Sequence, residues 1–466
     1  MNKYKKLTVN TFILGIGSFS SKLLAFFLIP FYTHALTPHE FGIADIIVLT
    51  SNLLFPLVSL GVSNAALRFA LDEKQEKKTI FSACVIICAL GYIASFALFP
   101  LVSFVPSIGG YTLLVFLFVL TSAFRNIISN FTRGLQKVKL YAVDGVITTA
   151  MTIGLTLYFL YVLKLGILGY CLAIIISDFL SINFLFWVGK LFKLLTFKIK
   201  WPDVRPLLKY SVPLIPTMIF WWITNVSDRY MISGFIGSSA NGLYATAQKF
   251  PTVVVILSNI FIDAWHISAV TSNPEERKAF FKNVFNTYSS LLLVIASFII
   301  LFSKIFMKVF AANAYFTAWE YIPFLTLAMV FQCFLSFFGT IYVVEKKSMN
   351  AMWTLLIGAV VNIILCWFLI PRIGANGAGI GTAISYLLVF VIRVIDTKKF
   401  INFKFDKITL TLNSTLLLCQ SLAMIAGYSL YYVIPFTLLI LLINFQSSKR
   451  QIFLIIEKLG KKEVKA

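Results

Sequence analysis

Runs of twenty or more apolar residues recur from one end of this 466-residue chain to the other, and they limit its possible folds more than any other feature. An α-helix needs about 20 apolar residues to cross roughly 30 Å of hydrocarbon. The chain is 59% hydrophobic and only 12% charged, which is too apolar for the surface of a soluble protein of this length. We therefore predict an all-α polytopic membrane protein.

The apolar runs predict fourteen membrane spans, in two sets of six and a final pair. The first set covers residues 8–32, 42–66, 80–103, 112–133, 141–163 and 166–189. The second set covers residues 207–233, 242–267, 281–310, 321–344, 349–371 and 374–396. Two shorter spans, 408–428 and 430–446, close the chain.

The lysines and arginines indicate how these spans are oriented. With the N-terminus in the cytoplasm, 32 of the 40 Lys and Arg residues fall in cytoplasmic segments and four fall in external ones. This is the positive-inside pattern, so both termini are expected in the cytoplasm. The net charge of +22 follows from that pattern and does not indicate a nucleic-acid partner. The first apolar run is too long for a signal peptide, and we interpret it as a retained span.

An internal repeat divides the chain. Residues 164–169 align with residues 372–377 at an offset of 208. The shared glycines could serve only close helix packing, but their recurrence at one offset favours duplication. Six spans in each half give a parallel repeat about an axis along the membrane normal. We predict a six-helix lobe over 1–200, a second six-helix lobe over 201–405, and two extra helices with a basic tail over 406–466.

Known catalytic patterns do not occur in the sequence. It has no phosphate-binding loop of the Gly-x-x-x-x-Gly-Lys type, and its three histidines and six cysteines show no metal-ligand or pairing spacing. We therefore expect neither an enzyme nor a bound cofactor or metal ion. The chain is better interpreted as a protein that moves a substrate.

The four remaining Lys and Arg residues, Lys22, Arg125, Arg229 and Lys249, are assigned to the interior of predicted spans. A charge at the centre of a membrane costs roughly 3 kcal/mol or more and by default faces a polar cavity. If all four face one lumen, they would bind an anionic substrate, because phosphate groups pair well with Lys and Arg. Arg229 and Lys249 could instead extend to the membrane interface, and Arg229 could pair with Asp228.

Carboxylates within the spans are the other candidates. Asp178 and Asp45 could each carry a coupling ion or neutralise a neighbouring cation, and the sequence favours neither role. Asp144 and Asp263 lie towards the cytoplasmic ends of their spans, where we expect them to be solvated.

Several short motifs resemble those of a known transporter family. Residues 28–42 contain Leu-Ile-Pro-Phe-Tyr and then Glu-Phe-Gly, and three later segments add Leu60-Gly61 with Arg68-Phe69, Asp228-Arg229-Tyr230, and Gly242-Leu243-Tyr244. The chain resembles the polysaccharide transporter family over essentially its whole length. These are the Wzx-type flippases of the multidrug/oligosaccharidyl-lipid/polysaccharide exporter superfamily.

The resemblance implies a flippase of the bacterial cytoplasmic membrane. Its cargo would be an undecaprenyl-pyrophosphate-linked oligosaccharide for capsule or O-antigen synthesis, moved by alternating access between two lobes. Lys22, Arg125, Lys249 and Arg229 would attract the pyrophosphate. Membrane lipids and a polysaccharide polymerase are the implied partners, and we expect a monomer.

Other interpretations use the same topology. A lipid II flippase would also have fourteen spans and a cationic lumen. A drug/cation antiporter of the same superfamily would need an acidic cavity, and the first span has no carboxylate. A glycan polymerase would need a large external loop, which the predicted topology lacks, and a non-transporting scaffold would favour neutral residues where the chain has buried cations.

Overall fold

The computed structural model describes residue 26 and residues 28–72, 75–196, 198–271, 277–345 and 347–445. Over these residues the chain is almost entirely helical and contains no β-strand. Most of the first predicted span, including Lys22, lies outside the described residues.

The chain divides into two compact units, Met1–Gly242 and Leu243–Ala466. The first unit contains α1 Ile29–Ala35, α2 Pro38–Val58, α3 Val62–Ala70, α4 Lys77–Ser95, α5 Phe99–Ser103, α6 Thr112–Gly134, α7 Val138–Leu157, α8 Gly166–Val188, α9 Trp201–Ser211 and α10 Ile215–Phe235. The lobe boundaries predicted from the repeat, after residues 200 and 405, stay predictions.

Helix α11, Ser238–Thr271, begins in the first unit and continues into the second. The second unit then contains α12 Arg277–Leu301, α13 Ser303–Phe310, α14 Ile322–Val344, α15 Ser348–Ile373, α16 Ala375–Thr397, α17 Lys407–Ile425 and α18 Leu430–Phe445.

Eleven helices in the described part of the chain are long and apolar enough to cross a membrane, so the chain is a multi-pass membrane protein. Three of the fourteen predicted spans are not among them. The first lies largely outside the described residues, the seventh corresponds to the less apolar α10, and the last is the shorter helix α18. The total of fourteen spans stays a prediction.

The predicted second span, 42–66, folds as two helices. Helix α2 begins with a capping box, in which the Thr37 hydroxyl accepts from the Glu40 N–H at 3.2 Å and the Glu40 carboxylate accepts from the Thr37 N–H at 2.8 Å. A turn at Leu60 and Gly61, with φ angles of 47° and 66°, separates α2 from α3. The left-handed conformation costs little at Gly61 because glycine has no Cβ.

Helix α6 is central to the first unit because it contributes to two apolar clusters. In one cluster Phe131 of α6 packs against Phe81 of α4, with ring centroids 4.8 Å apart. In the other cluster Val119 of α6 lies with Ile47 of α2 and Cys171 of α8. The remaining face of α6 carries the polar side chains described below.

Arg393, which the sequence analysis counts in a cytoplasmic segment, is a buried cation near the C-terminal end of a helix. It lies within α16 and is 4% exposed. Its guanidinium donates to the backbone oxygens of Leu335 at 2.7 Å and Ala351 at 3.2 Å, and to the Thr354 hydroxyl at 3.0 Å. A Cβ at Gly339 would lie 2.7 Å from the Arg393 Nη1, so glycine makes room for this buried cation.

Candidate functional site: two arginine–aspartate pairs

A buried polar cluster joins α6 to α8. Arg125 of α6 donates from Nη1 to Asp178 Oδ1 at 3.0 Å and from Nε to Ser181 Oγ at 3.2 Å. Ser122, one turn before Arg125, donates to Asp178 Oδ2 at 2.8 Å. Residues three apart share one face of a helix, so Ser122 and Arg125 on α6 meet Asp178 and Ser181 on α8.

A second carboxylate, Asp144 of α7, belongs to the same cluster. Its Oδ1 accepts from Ser181 Oγ at 2.7 Å and lies 3.4 Å from the Thr148 hydroxyl. Asp144 is 1% exposed, so the prediction that it is solvated near a helix end is wrong. Depth along the helix misled that prediction, because Asp144 lies on the face of α7 that packs against α8.

The cluster therefore contains two carboxylates and one guanidinium. Asp178 is 4% exposed, whereas the Arg125 side chain keeps 32% of its surface accessible. A buried carboxylate costs several kcal/mol unless it is paired and hydrogen-bonded, and Arg125 with the serine hydroxyls supplies those bonds here. A guanidinium has five N–H donors, so Arg125 can bind a further anion while it still contacts Asp178.

A second arginine–aspartate pair joins α2 to α10. Arg229 Nη1 donates to Asp45 Oδ1 at 2.5 Å and to Asp45 Oδ2 at 2.6 Å, and the two side chains are 10% and 9% exposed. The Arg229 backbone N–H donates to the Asp228 carboxylate at 2.9 Å. The alternative in which Arg229 extends to the membrane interface is therefore wrong, because its guanidinium is enclosed together with Asp45.

Two backbones meet beside this second pair. A Cβ on Gly42 would lie 1.8 Å from the Ser238 carbonyl oxygen, and a Cβ on Gly242 would lie 1.9 Å from the Pro38 carbonyl oxygen. Asn241, which is fully buried, donates to the Gly42 carbonyl oxygen at 3.0 Å. Only glycine permits this approach, so α2 and the first turn of α11 are in direct backbone contact.

The predicted group of four cations is only partly described. Arg125 and Arg229 both lie in the first unit, and each has its own carboxylate partner. Lys249 is partly buried on α11 in the second unit, while Lys22 and the side chain of Asp263 lie outside what the structure describes. A single lumen lined by all four cations stays a prediction. Within the described part of the chain, no group of three or more His, Cys, Asp or Glu side chains could hold a metal ion.

Sequence reasoning missed the polar partners of these charges. Ser122 and Ser181 were not considered, although each lies three residues from a charged residue in an otherwise apolar helix. That i, i+3 spacing is the signal that could have found them, because it puts the serine and the charge on one helix face. Asn241 offered no comparable signal, since its partners lie far away in the sequence.

Comparisons with known proteins give the family and the fold. The sequence matches the family model described as polysaccharide biosynthesis protein over residues 7–266. A search of curated proteins finds no match.

Solved structures share the architecture at low sequence identity. The lipid II flippase MurJ, in an inward closed conformation, has a TM-score of 0.73 at 16% identity, covering 94% of this chain and 99% of its own. An inward-facing multidrug resistance transporter of the MATE family has a TM-score of 0.66 at 12% identity, covering 85% and 96%. A transporter of the MOP superfamily from Pyrococcus furiosus has a TM-score of 0.61 at 13% identity, covering 84% and 95%.

The likeness to these structures shows that the chain has the helical fold of the MurJ and MATE transporters. The family match covers more than half of the residues and includes both arginine–aspartate pairs. On that match, this chain is a member of the polysaccharide biosynthesis protein family.

Proposed function

We propose that this protein is a flippase that moves an undecaprenyl-pyrophosphate-linked oligosaccharide across the bacterial cytoplasmic membrane. The product would supply capsule, O-antigen or a related surface polysaccharide. The observation that carries the proposal is the match of a multi-pass membrane chain to a polysaccharide biosynthesis family. The fold shared with the lipid II flippase MurJ supports a transport role.

Arg125 is the residue best suited to bind the pyrophosphate. It lies on a membrane-spanning helix, it keeps 32% of its side-chain surface accessible, and its bonds to Asp178 and Ser181 hold the guanidinium in one orientation. Arginine binds phosphate through paired N–H groups, and such bonds are about twice as strong as neutral ones. Lys22 and Lys249 are proposed as further contacts because of their positions within the predicted membrane spans.

The carboxylates of the cluster give the site a second property. Asp178 accepts directly from the Arg125 guanidinium, so a pyrophosphate bound at Arg125 would compete with Asp178 for its positive charge, whereas Asp144 is linked to Arg125 only through Ser181. This competition would make binding reversible, which a transporter needs for release. It also keeps Asp178 as the candidate for ion coupling, while the burial of Asp45 against Arg229 favours a packing role for that pair.

Surface polysaccharide in a deletion strain tests this proposal. The strain is complemented with the wild-type chain, Arg125→Ala or Lys22→Ala, and Arg133→Ala serves as the control because Arg133 is an exposed arginine in the last turn of α6. Both intramembrane variants should lose the polymer while the protein still accumulates in the membrane. Full surface polymer in both variants would contradict the proposed cationic site. Full surface polymer in the uncomplemented deletion strain would contradict the proposed function.

A lipid II flippase is the second candidate, and the fold likeness to MurJ is the observation that favours it. The two cargoes share the pyrophosphate and the lipid and differ in their sugars. Rescue of a strain depleted of its own lipid II flippase would favour this alternative, whereas rescue of polysaccharide export alone would favour our proposal. The MATE likeness shows only the shared fold, and a cation antiporter is disfavoured by the arginines and lysines within the spans.

A further inference from the structure

A separate cavity lies in the first unit, away from both arginine–aspartate pairs. It has a volume of about 350 Å³ and lies between α3, α9 and α10. A neighbouring cavity of about 490 Å³ shares Arg68, Leu71 and Tyr210 with the first, so the two form one groove. The predicted topology puts this groove on the cytoplasmic side, where a lipid-linked substrate would arrive.

The groove has a cationic centre. Arg68 lies in the last turn of α3, is exposed, and forms no ion pair with any residue that the structure describes. Asp72 also lines the second cavity, and the Lys77 ammonium donates to its backbone carbonyl oxygen. The exposed Arg68 guanidinium, which forms no ion pair among the described residues, is therefore the group in the groove that suits an anionic ligand.

The other lining residues suit a sugar. Tyr210 is 39% exposed, and its ring packs nearly perpendicular to that of Phe69 with ring centroids 5.9 Å apart, so part of an aromatic side chain is accessible for contact with a sugar. The Asn64 amide donates only to the Met218 sulfur, at 3.8 Å, among the side-chain bonds of the described residues. A thioether is a weak acceptor, so this amide can form stronger hydrogen bonds with hydroxyl groups.

We propose that this groove is a docking site for a sugar phosphate headgroup, in which Arg68 binds the phosphate while Asn64 and Tyr210 contact the first sugar. The inference rests on the proposed function and adds a loading site that precedes Arg125. The walls formed by Leu67, Leu214 and Met218 are apolar, and such walls strengthen the charge-assisted bond to Arg68 by excluding water.

Photo-crosslinking tests the site directly. The probe is N-acetylglucosaminyl pyrophosphate on a ten-carbon geranyl chain that carries a diazirine, and the target is the full chain in phosphatidylcholine nanodiscs. Mass spectrometry should find the label on peptides from α3, α9 or α10. Arg68→Gln should reduce that labelling about tenfold, the loss expected for one charge-assisted hydrogen bond. Arg133→Gln should change it less than about twofold, because Arg133 is a matched exposed arginine in the last turn of α6.

The outcomes separate this inference from the proposed function. The docking site would be overturned if the label fell only on other helices, or if Arg68→Gln left labelling of the groove unchanged. Either result would leave the flippase proposal standing. No competable labelling anywhere in the chain would overturn both. If phosphatidylglycerol displaced the probe as readily as unlabelled probe does, the groove would be a general lipid-phosphate site, and the proposed sugar contact would be overturned. Arg68→Lys keeps the charge and should retain most of the labelling, which guards against loss through misfolding.

Discussion

Two arginine–aspartate pairs in one unit of this protein have the same chemistry and opposite exposure. The Arg125 side chain is 32% exposed against Asp178, whereas Arg229 is 10% exposed against Asp45. Charge alone therefore does not identify a substrate contact in a membrane helix. On the proposed function, the accessible arginine would exchange partners with an incoming anion, whereas the enclosed one joins α2 to α10.

The surroundings of the two pairs explain the difference. Arg125 and Asp178 lie among serine hydroxyls, which satisfy the carboxylate and leave donors of the guanidinium available. Arg229 and Asp45 lie beside the backbone contact of Gly42 with the first turn of α11, where no space remains. A buried pair of the second kind is strongly destabilised when one partner is removed, because the other is left uncompensated.

The largest expected effect comes from removing both charges of the accessible pair, Arg125 and Asp178. The double variant Arg125→Gln/Asp178→Asn should fold normally and lose at least about 90% of surface polymer, because the anion loses its charge-assisted bonds. The matched variant Arg229→Gln/Asp45→Asn should retain most of the polymer. Both are measured by immunoblotting of surface polysaccharide at equal membrane protein levels. Equal losses in the two variants would erase the proposed distinction.

Single substitutions at the enclosed pair should have the next largest effect. Arg229→Gln or Asp45→Asn alone should reduce the free energy of unfolding by about 3–5 kcal/mol, since each leaves one buried charge without its partner. Reversible unfolding of the purified protein in mixed micelles measures this loss. Lys399→Gln is the control, because Lys399 is 72% exposed in its pair with Asp396 and should contribute less than about 1 kcal/mol. A loss of the control's size at Arg229 would contradict the buried ion pair.

The backbone contact beside that pair gives a smaller, sterically defined prediction. Gly42→Ala should cost about 1–3 kcal/mol, because its Cβ would lie 1.8 Å from the Ser238 carbonyl oxygen and the helices would have to separate. Gly234→Ala on α10 is the matched control, since a Cβ there meets nothing within 4 Å. The same unfolding measurement applies, and an unchanged free energy for Gly42→Ala would show that α2 and α11 do not touch.

The smallest expected change in the free energy of unfolding comes from an exposed carboxylate. Asp406 caps α17, and hydrogen bonds from the Thr409 hydroxyl at 2.7 Å and the Thr409 N–H at 3.0 Å lower the pKa of its carboxyl group. A lowered pKa means that this stabilisation is fully present above the unfolded value of about 3.9 and is lost as the pH falls through the folded value. Asp406→Ala should cost about 1 kcal/mol at pH 7 and much less at pH 3. A cost independent of pH would contradict the cap.

Hydropathy predicted the helices well, because the length of a membrane span is set by the bilayer. The predicted spans 112–133 and 166–189 correspond to Thr112–Gly134 and Gly166–Val188. The turn at Leu60 and Gly61 was not predicted, since it depends on left-handed backbone angles that leave no mark on hydropathy.

The ion pairs could not be predicted for a different reason. Arg125 and Asp178 are 53 residues apart, and Arg229 and Asp45 are 184 residues apart. All four residues could be selected from the sequence as charges within spans. Which of them meet, and which stay accessible, depends on helix rotation and packing, and one sequence carries no information on either.

Translocation by the purified protein tests the central claim most directly. A fluorescent undecaprenyl-pyrophosphate-linked oligosaccharide is placed in proteoliposomes, and a membrane-impermeant quencher measures how fast it changes leaflet. We expect rapid translocation by the wild-type chain and by Arg229→Gln/Asp45→Asn, and the protein-free background rate for Arg125→Gln/Asp178→Asn. Wild-type rates in the variant without the Arg125 pair would contradict the claim that this arginine carries the pyrophosphate.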